Sequence, residues 1–426
     1  MPTNIAYGSD QAVTLQSYAI FAATMQRLTT IGRMTGSFPT QSESENKLRV
    51  QTSSGYPIIR VKDLQKKAGD EVTFDLVNPV YGKPIMGGAN AEGRGEAMNF
   101  DQDSLRINQT RKPISAGDTM TQQRTPHELR KLSRAQAQGY MLRLEDQLCQ
   151  VHLSGARGFH DNVEWVVPLA ADGDFSSICI NTVKAPSRNR HFMSTGDGIE
   201  SIKAGANDIT IETTDVMNLD VVDAIRAYVD NMAIPPAPCM FKGDEMAVDS
   251  PLRVLLVSSL QYNSILQSTN FRTLQANAMS RAASAGNLAL FKGEAGLWNG
   301  ILIVKMPKPI RFYADDPINW CASLTSATET TTDLVPADFS TTHAVDRAVL
   351  LGAQALGEAY GKHPRTGNPY FWSEKELDHG DKLEVLIGMI NGKSKIRFSI
   401  DHGTEGEQPT DMGVIAIDTA VALQGV

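Results

Sequence analysis

From Glu71 to Val77 apolar and polar residues alternate, placing Val72, Phe74 and Leu76 on one face of a predicted strand. The alternation returns in Ser104–Thr110, where Leu105 and Ile107 share a face. Between the two runs lie Gly82, Gly87, Gly88, Gly93 and Gly95, too many for a packed core and suited to a mobile tip. The pattern predicts a long two-stranded ribbon over residues 58–116. An isolated ribbon is marginal in water. Its thin apolar face therefore needs a surface from the chain's own body or from a neighbouring copy.

The longest helical pattern follows directly, over residues 126–154. Thr125 offers a cap, Pro126 suits the first helical position, and Gly155 offers a stop. Ala137, Met141, Leu144, Leu148 and Val151 form one stripe. About 29 residues at 1.5 Å each span roughly 43 Å, the length of a spine across a domain. Upstream, Val13–Ile31 is a helix candidate with apolar residues most of the way round, and 36–57 is a polar linker. Downstream, short strands are expected at Val163–Leu169, Ile178–Val183 and Ile209–Glu212, then a helix at Leu219–Met232. Buried-type strands at Arg253–Ser258 and Ile301–Met306 flank a helical Tyr262–Ala285, with a turn at Trp298-Asn299-Gly300. Residues 323–342 form a Ser/Thr-rich spacer. Asn391-Gly392, between Leu383–Ile390 and Lys395–Ile400, is the strongest short hairpin signal in the chain. Val414–Ile417 is a last strand.

A chain of 426 residues is expected to form two or three lobes. No apolar run reaches membrane-spanning length, and no basic-then-apolar leader opens the sequence, so a cytoplasmic site of synthesis and no membrane association are expected. Cys149, Cys179, Cys239 and Cys321 are scattered, which disfavours a zinc site or a disulfide framework and leaves reduced, buried thiols. A formal charge of −8 disfavours a dedicated DNA binder.

Motifs with chemistry are few. Gly388–Ser394 imitates a phosphate loop but is one residue short and is followed by a strand pattern, so a hairpin turn is the better reading. Gly93-Arg94-Gly95 lacks the rest of a dinucleotide fingerprint. The group Asp378-His379-Gly380-Asp381, with His363, can be read as a cation site, but a solvated turn fits its composition better. Lys184, Arg188, Arg190 and His191 make the one local basic cluster, in a loop that is either solvated or faces phosphate or an acidic neighbour. Lys83, Glu92, Arg94 and Glu96 at the ribbon tip are candidate partners across an interface. No nucleophile elbow or Cys/His constellation occurs, so no catalytic residue, metal or cofactor is assigned.

One series of segments carries a resemblance. In order these are Asp63–Val72, Tyr-Gly-Lys-Pro at 81–84, Ile107–Ile114 (INQTRKPI), the QRTPHELR helix start, His152–Gly158 (HLSGARG), Gly286–Ile303 (GNLALFKGEAGLWNGILI) and Arg347–Leu356 (RAVLLGAQAL). The series resembles the major capsid proteins of tailed bacteriophages, with the Hong Kong 97-type fold. The resemblance implies an α+β chain with an N-terminal arm (1–57), an extended hairpin arm (58–116), a peripheral domain built on the spine helix (117–215), a mixed α/β axial domain (216–345) and a return through both (346–426). It also implies a structural protein, not an enzyme, that assembles as hexamers and pentamers into an icosahedral shell in the host cytoplasm. That shell would enclose double-stranded DNA, with a scaffolding protein, a portal and a possible cement protein as partners. By this reading Lys83, Glu92, Arg94, Glu96, Lys184, Arg188 and Arg190 are subunit-interface candidates. An encapsulin-like nanocompartment shell shares the expected fold, and a metal enzyme centred on His363 and His379 is the remaining rival.

Overall fold

The computed structural model describes residues 35–37, 55–61, 69–77, 83–86, 90, 92, 100–202, 209–239, 252–267, 296–326, 328–364, 366–402 and 406–423. The predicted helix at Val13–Ile31 and most of the glycine-rich tip lie outside them.

The ribbon forms where alternation placed it. Glu71–Val77 pairs antiparallel with Phe100–Arg106, with Glu71 opposite Arg106 and Val77 opposite Phe100. The return arm is not one strand, however. Pairing breaks at Ile107, and the chain continues as Asn108–Asp118 against a different partner, the long strand Lys382–Lys395. Ile107 marks the switch, its N–H donating to Asp70 O at 2.9 Å.

Lys382–Lys395 is the centre of a six-stranded sheet. It pairs antiparallel with Asn108–Asp118, Tyr370–Leu377 and Leu356–Tyr360, and Ile58–Val61 extends the sheet parallel to the last of these. This overturns the strongest turn signal in the sequence, because Asn391 and Gly392 sit inside the long strand. Tertiary contacts explain both residues. A Cβ on Gly392 would lie 1.9 Å from Arg106 O, so only glycine lets the ribbon pass there. The Asn391 side chain is buried and donates to Glu145 Oε1 at 3.3 Å. The actual hairpin turn is Asp378-His379-Gly380, all three with positive φ, between Tyr370–Leu377 and Lys382–Lys395.

The spine helix runs Leu129–Ser154 across this sheet, three residues shorter at its start than its pattern predicted. Thr125 and Pro126 belong instead to the end of a preceding short helix, Thr119–Arg124, which Asp118 caps. The predicted stripe is the buried one: Ala137, Met141, Leu144 and Leu148 pack on Tyr370, Trp372, Val385, Ile387 and Met389. Gly155 ends the helix in the left-handed conformation at φ 69°, as its position implied.

The second sheet has eight strands and is mixed. His343–Leu351 lies at its centre between Val414–Ala422 and Arg253–Val257, and Ile301–Lys305 runs parallel to Arg253–Val257. Both faces are covered, which is why Arg253–Val257 reads as continuous rather than alternating apolar sequence. Helices Leu219–Asn231 and Ser259–Leu266 cover one face. Cys149 and Leu153 of the spine helix, with Ile58 and Leu356, cover the other. The Asn299-Gly300 turn forms as predicted, with φ 44° and 74° between paired Trp298 and Ile301. The predicted strands at 163–169, 178–183 and 209–212 are instead turns and irregular chain. Of their apolar residues, Trp165, Val167, Ile209 and Ile211 are buried without ladder partners, whereas Val163 and Ile180 are exposed. The Ser/Thr-rich spacer holds a strand, Thr331–Leu334, paired with Pro317–Trp320. All four cysteines are buried and unbonded. Among the described residues no helix is long and apolar enough to cross a membrane.

Candidate assembly interface

The ribbon's base is mounted on the body of its own chain. Phe74 and Leu105 are buried against Ile59, Val61, Ala359, Ile396, Phe398 and Ile400. Phe74 lies over Gly357, where a Cβ would come within 2.8 Å of its ring. Polar contacts then fix the register. Asp101 and Asp103, two apart and therefore on one face of the return strand, accept from the backbone N–H groups of Ser399 (2.5 Å) and Arg397 (3.0 Å). Side-chain carboxylates thus satisfy the edge of Arg397–Asp401 away from Glu407–Asp411, where no strand pairs among the described residues. Lys184 Nζ reaches both Asp103 oxygens at 2.7 Å. Asn181 completes the mount: it accepts from Arg106 N at 2.9 Å and donates to Arg106 O at 2.9 Å and to Lys393 O at 3.0 Å. The sequence carried a readable sign of this site in Asp101-Gln102-Asp103, a period-two acidic pair on one face of the strand.

The seven candidate interface residues separate into two places. Lys83 and Glu92 are exposed on the ribbon tip, and Arg94 and Glu96 lie outside the described residues. Lys184, Arg188 and Arg190 are engaged within the chain, Arg190 buried and Lys184 and Arg188 half-buried. Arg190 is buried and donates to Asp411 O (3.2 Å) and Ile234 O (2.5 Å), and Arg188 donates to Ala322 O at 2.8 Å. Below them Asp411 takes Arg397 Nε and Lys395 Nζ at 2.7 Å each and Ser187 N at 3.1 Å. Burial opposes its charge, but the two cations hold the Asp411 carboxyl well below the usual carboxylate range. This clasp ties the 184–190 loop to the strands that carry the ribbon.

The surface charge is concentrated elsewhere. From Arg111 to Arg143 the chain has seven Lys/Arg and two Asp/Glu, although the whole carries −8. Spread over a strand and a helix, this basic tract escapes a search for consecutive charges. His363 stacks on Phe371 with ring centroids 4.4 Å apart, and His379 sits in the hairpin turn. Among the described residues no group of three or more His, Cys, Asp or Glu is placed to hold a metal ion.

A mounted ribbon, a spine helix and two sheets, with polar groups spent on internal joints, describe a building unit. The family model described as phage capsid protein matches residues 4–423. The chain belongs to the phage capsid protein family. Among solved structures, the capsid of Ralstonia phage GP4 is 26% identical, with a TM-score of 0.67 over 88% of this chain and 90% of that one. The cyanophage Pam1 capsid (14% identity, TM-score 0.58, 93% and 99% covered) and the head of Helicobacter pylori bacteriophage KHP40 (12%, 0.53, 92% and 90%) share the fold. No curated protein matches the chain. Membership makes this a structural capsid protein of a bacteriophage.

In this capsid protein the spine helix is joined to both sheets through buried charge. Glu145 accepts from the Tyr370 hydroxyl and Asn391, while Glu358 is paired with Lys393 and with Arg60 at 2.7 Å. At the helix C-terminus Arg347 donates to Ser154 O at 3.1 Å and pairs with Asp418 at 2.7 Å, and Asp418 also holds His191 at 2.6 Å. These groups set an acid limit. Burial, helped by Lys393 and Lys184, lowers His152 from 6.5 to about 3, and burial likewise lowers His191. Burial would raise the Glu358 carboxyl, but Lys393 and Arg60 bring it down to about 2. A lowered histidine contributes stability above 6.5 that is lost as pH falls, and a lowered carboxylate adds a second loss below its unfolded pKa of about 4.3. Asp146 and Glu145 have the opposite sign: burial raises both, Asp146 to about 6 with Glu145 adding to it, so their contribution is present at low pH and lost as pH rises. The urea midpoint is therefore expected to fall from pH 6.5 downward and more steeply below about pH 4.3. Asp146→Asn is expected to raise the midpoint at pH 7 and to change it little at pH 4. A midpoint flat from pH 7 to pH 4 would contradict this assignment.

Proposed function

We propose that the chain is the major capsid subunit of a tailed phage, with the Hong Kong 97-type fold, closing as hexamers and pentamers into an icosahedral shell around double-stranded DNA. The observation that carries this reading is the ribbon mount. Asp101, Asp103, Asn181 and the Phe74–Gly357 contact anchor the base, so the tip is free to serve a neighbour. Lys83–Met86 near the tip is exposed, Met86 at 77%. On this reading residues 1–57 are an N-terminal arm, 58–116 the extended arm, 117–215 the peripheral domain and 216–345 the axial domain, with 346–426 returning through both. Lys83, Glu92, Arg94 and Glu96 then pair across the contact. Each exposed pair is worth only about 0–1 kcal/mol, but a shell repeats it in every copy. Scaffolding, portal and cement proteins are the partners this role calls for.

Deletion of residues 83–96 is the direct test. The variant is expected to keep a native urea midpoint, because its mount is intact, and to form no closed particles under the electron microscope. Normal particles from the deletion would remove the arm from assembly. Nucleic acid inside wild-type particles distinguishes a virion shell from a nanocompartment.

A further inference from the structure

The far end of the six-stranded sheet carries both signs of charge and exposed apolar side chains. Its elbow is the short helix Thr119–Arg124 and the first turns of the spine helix, and its tip is the 378–381 turn. Thr119 N donates to Asp381 O at 3.0 Å and Arg130 pairs with Glu374 at 2.8 Å, so elbow and tip lie side by side. Elbow and neighbouring strand supply most of the basic tract. Residues 374–384 carry five Asp/Glu against two Lys. Arg124, Glu376 and Asp381 are exposed and form no ion pair among the described residues, and Lys131, paired only with neighbouring Glu128, is 78% exposed at its side chain. Met120, Leu132 and Leu377 at the same end are 56%, 49% and 36% exposed.

We propose that this end is a contact between copies, in which the acidic tip of one subunit docks on the basic, apolar elbow of the next. The inference rests on the shell reading and assigns one of its contacts. Because the two signs sit next to each other, rotation about an axis beyond this end sets unlike charge against unlike charge. Such a head-to-tail contact closes into a ring when its rotation divides a full turn. Met120, Leu132 and Leu377 gain cover from the same docking. A nucleic acid fits the surface less well, since the acidic tip would repel its phosphates and the three apolar side chains would stay in water.

The test reverses charge on each side separately and then together, in the full chain: R124E with K131E, E376K with D381K, and all four. Each pair alone is expected to cut the yield of assembled particles roughly tenfold or more, as like charges facing across an interface cost several kcal/mol. The fourfold variant is expected to return toward wild-type yield. Unchanged urea midpoints show that the exposed substitutions leave the fold intact. Assembly indifferent to either reversal, or reduced without recovery in the fourfold variant, overturns the pairing. Particles of R124E/K131E that form normally but lose nucleic acid assign the elbow to nucleic acid and overturn it too. A wild-type chain that stays monomeric at every salt concentration even with its scaffolding protein co-expressed overturns both this contact and the shell reading, whereas charge-indifferent shells overturn the contact alone.

Discussion

Gly392→Ala is expected to cost about 3 kcal/mol or more and to leave little native subunit, the upper range for overpacking a tight site. The φ of Gly392 is not in the left-handed region, so backbone strain is not the issue. Space is: the added Cβ falls 1.9 Å from Arg106 O and 2.9 Å from Arg106 C. A flexible side chain can swing away, but this carbonyl is held by Asn181, which is itself bonded to Lys393 O. The substitution must therefore push the ribbon off the long strand at the point where the chain changes sheets. Gly139→Ala is the matched control. It lies on the spine helix with nothing within 4 Å of its added Cβ, and it is expected to stabilise by about 0.5–1 kcal/mol through helix propensity. Urea midpoints of the two variants measure both effects. A wild-type midpoint for Gly392→Ala would mean that Arg106 O is not held where the structure places it.

Asp411→Asn is the second large effect, with an expected loss of about 3–5 kcal/mol. The side chain keeps its shape, but Lys395 and Arg397, both buried, lose their shared anion. Burial already lowers Lys395 to about 8 with Asp411 beside it. Without the carboxylate Lys395 sheds its proton, and Arg397 loses the anion paired with its Nε. The loss should be smaller in Asp411→Asn/Lys395→Met than in Asp411→Asn alone, because the methionine removes the buried amine that must otherwise give up its proton when its anion is gone. Equal losses would show that Lys395 does not draw on Asp411.

Period and length made the larger elements readable. The ribbon, the spine stripe from Ala137 to Leu148, the buried strands at 253–257 and 301–305 and the Asn299-Gly300 turn all follow from local pattern. The failures are places where a distant segment sets the local choice. Asn391-Gly392 has the composition of a turn, yet Glu145 and Arg106, far away in sequence, make it a strand. Val163–Leu169 has strand-like residues, but Gln147 of the spine helix satisfies its backbone, accepting from Val166 N at 2.7 Å and donating to Glu164 O at 2.8 Å. The basic cluster at 184–190 looked like surface because nothing local shows the buried Asp411 that draws it inward. Two of the segments that carry the family resemblance fall at such joints, Ile107–Ile114 at the change of sheets and His152–Gly158 at the helix end.

The change of partner at Ile107 also fixes how the subunit bears force. The ribbon leaves the sheet as a direct continuation of Asn108–Asp118, whose ladder lies along the length of Lys382–Asn391. A pull on the tip along the strand direction loads those rungs together, in shear, instead of opening them one after another from an end. A capsid wall tensioned from inside would draw on this arrangement, with the Asp101, Asp103 and Asn181 bonds acting as a bracket that keeps the load from turning into a peel.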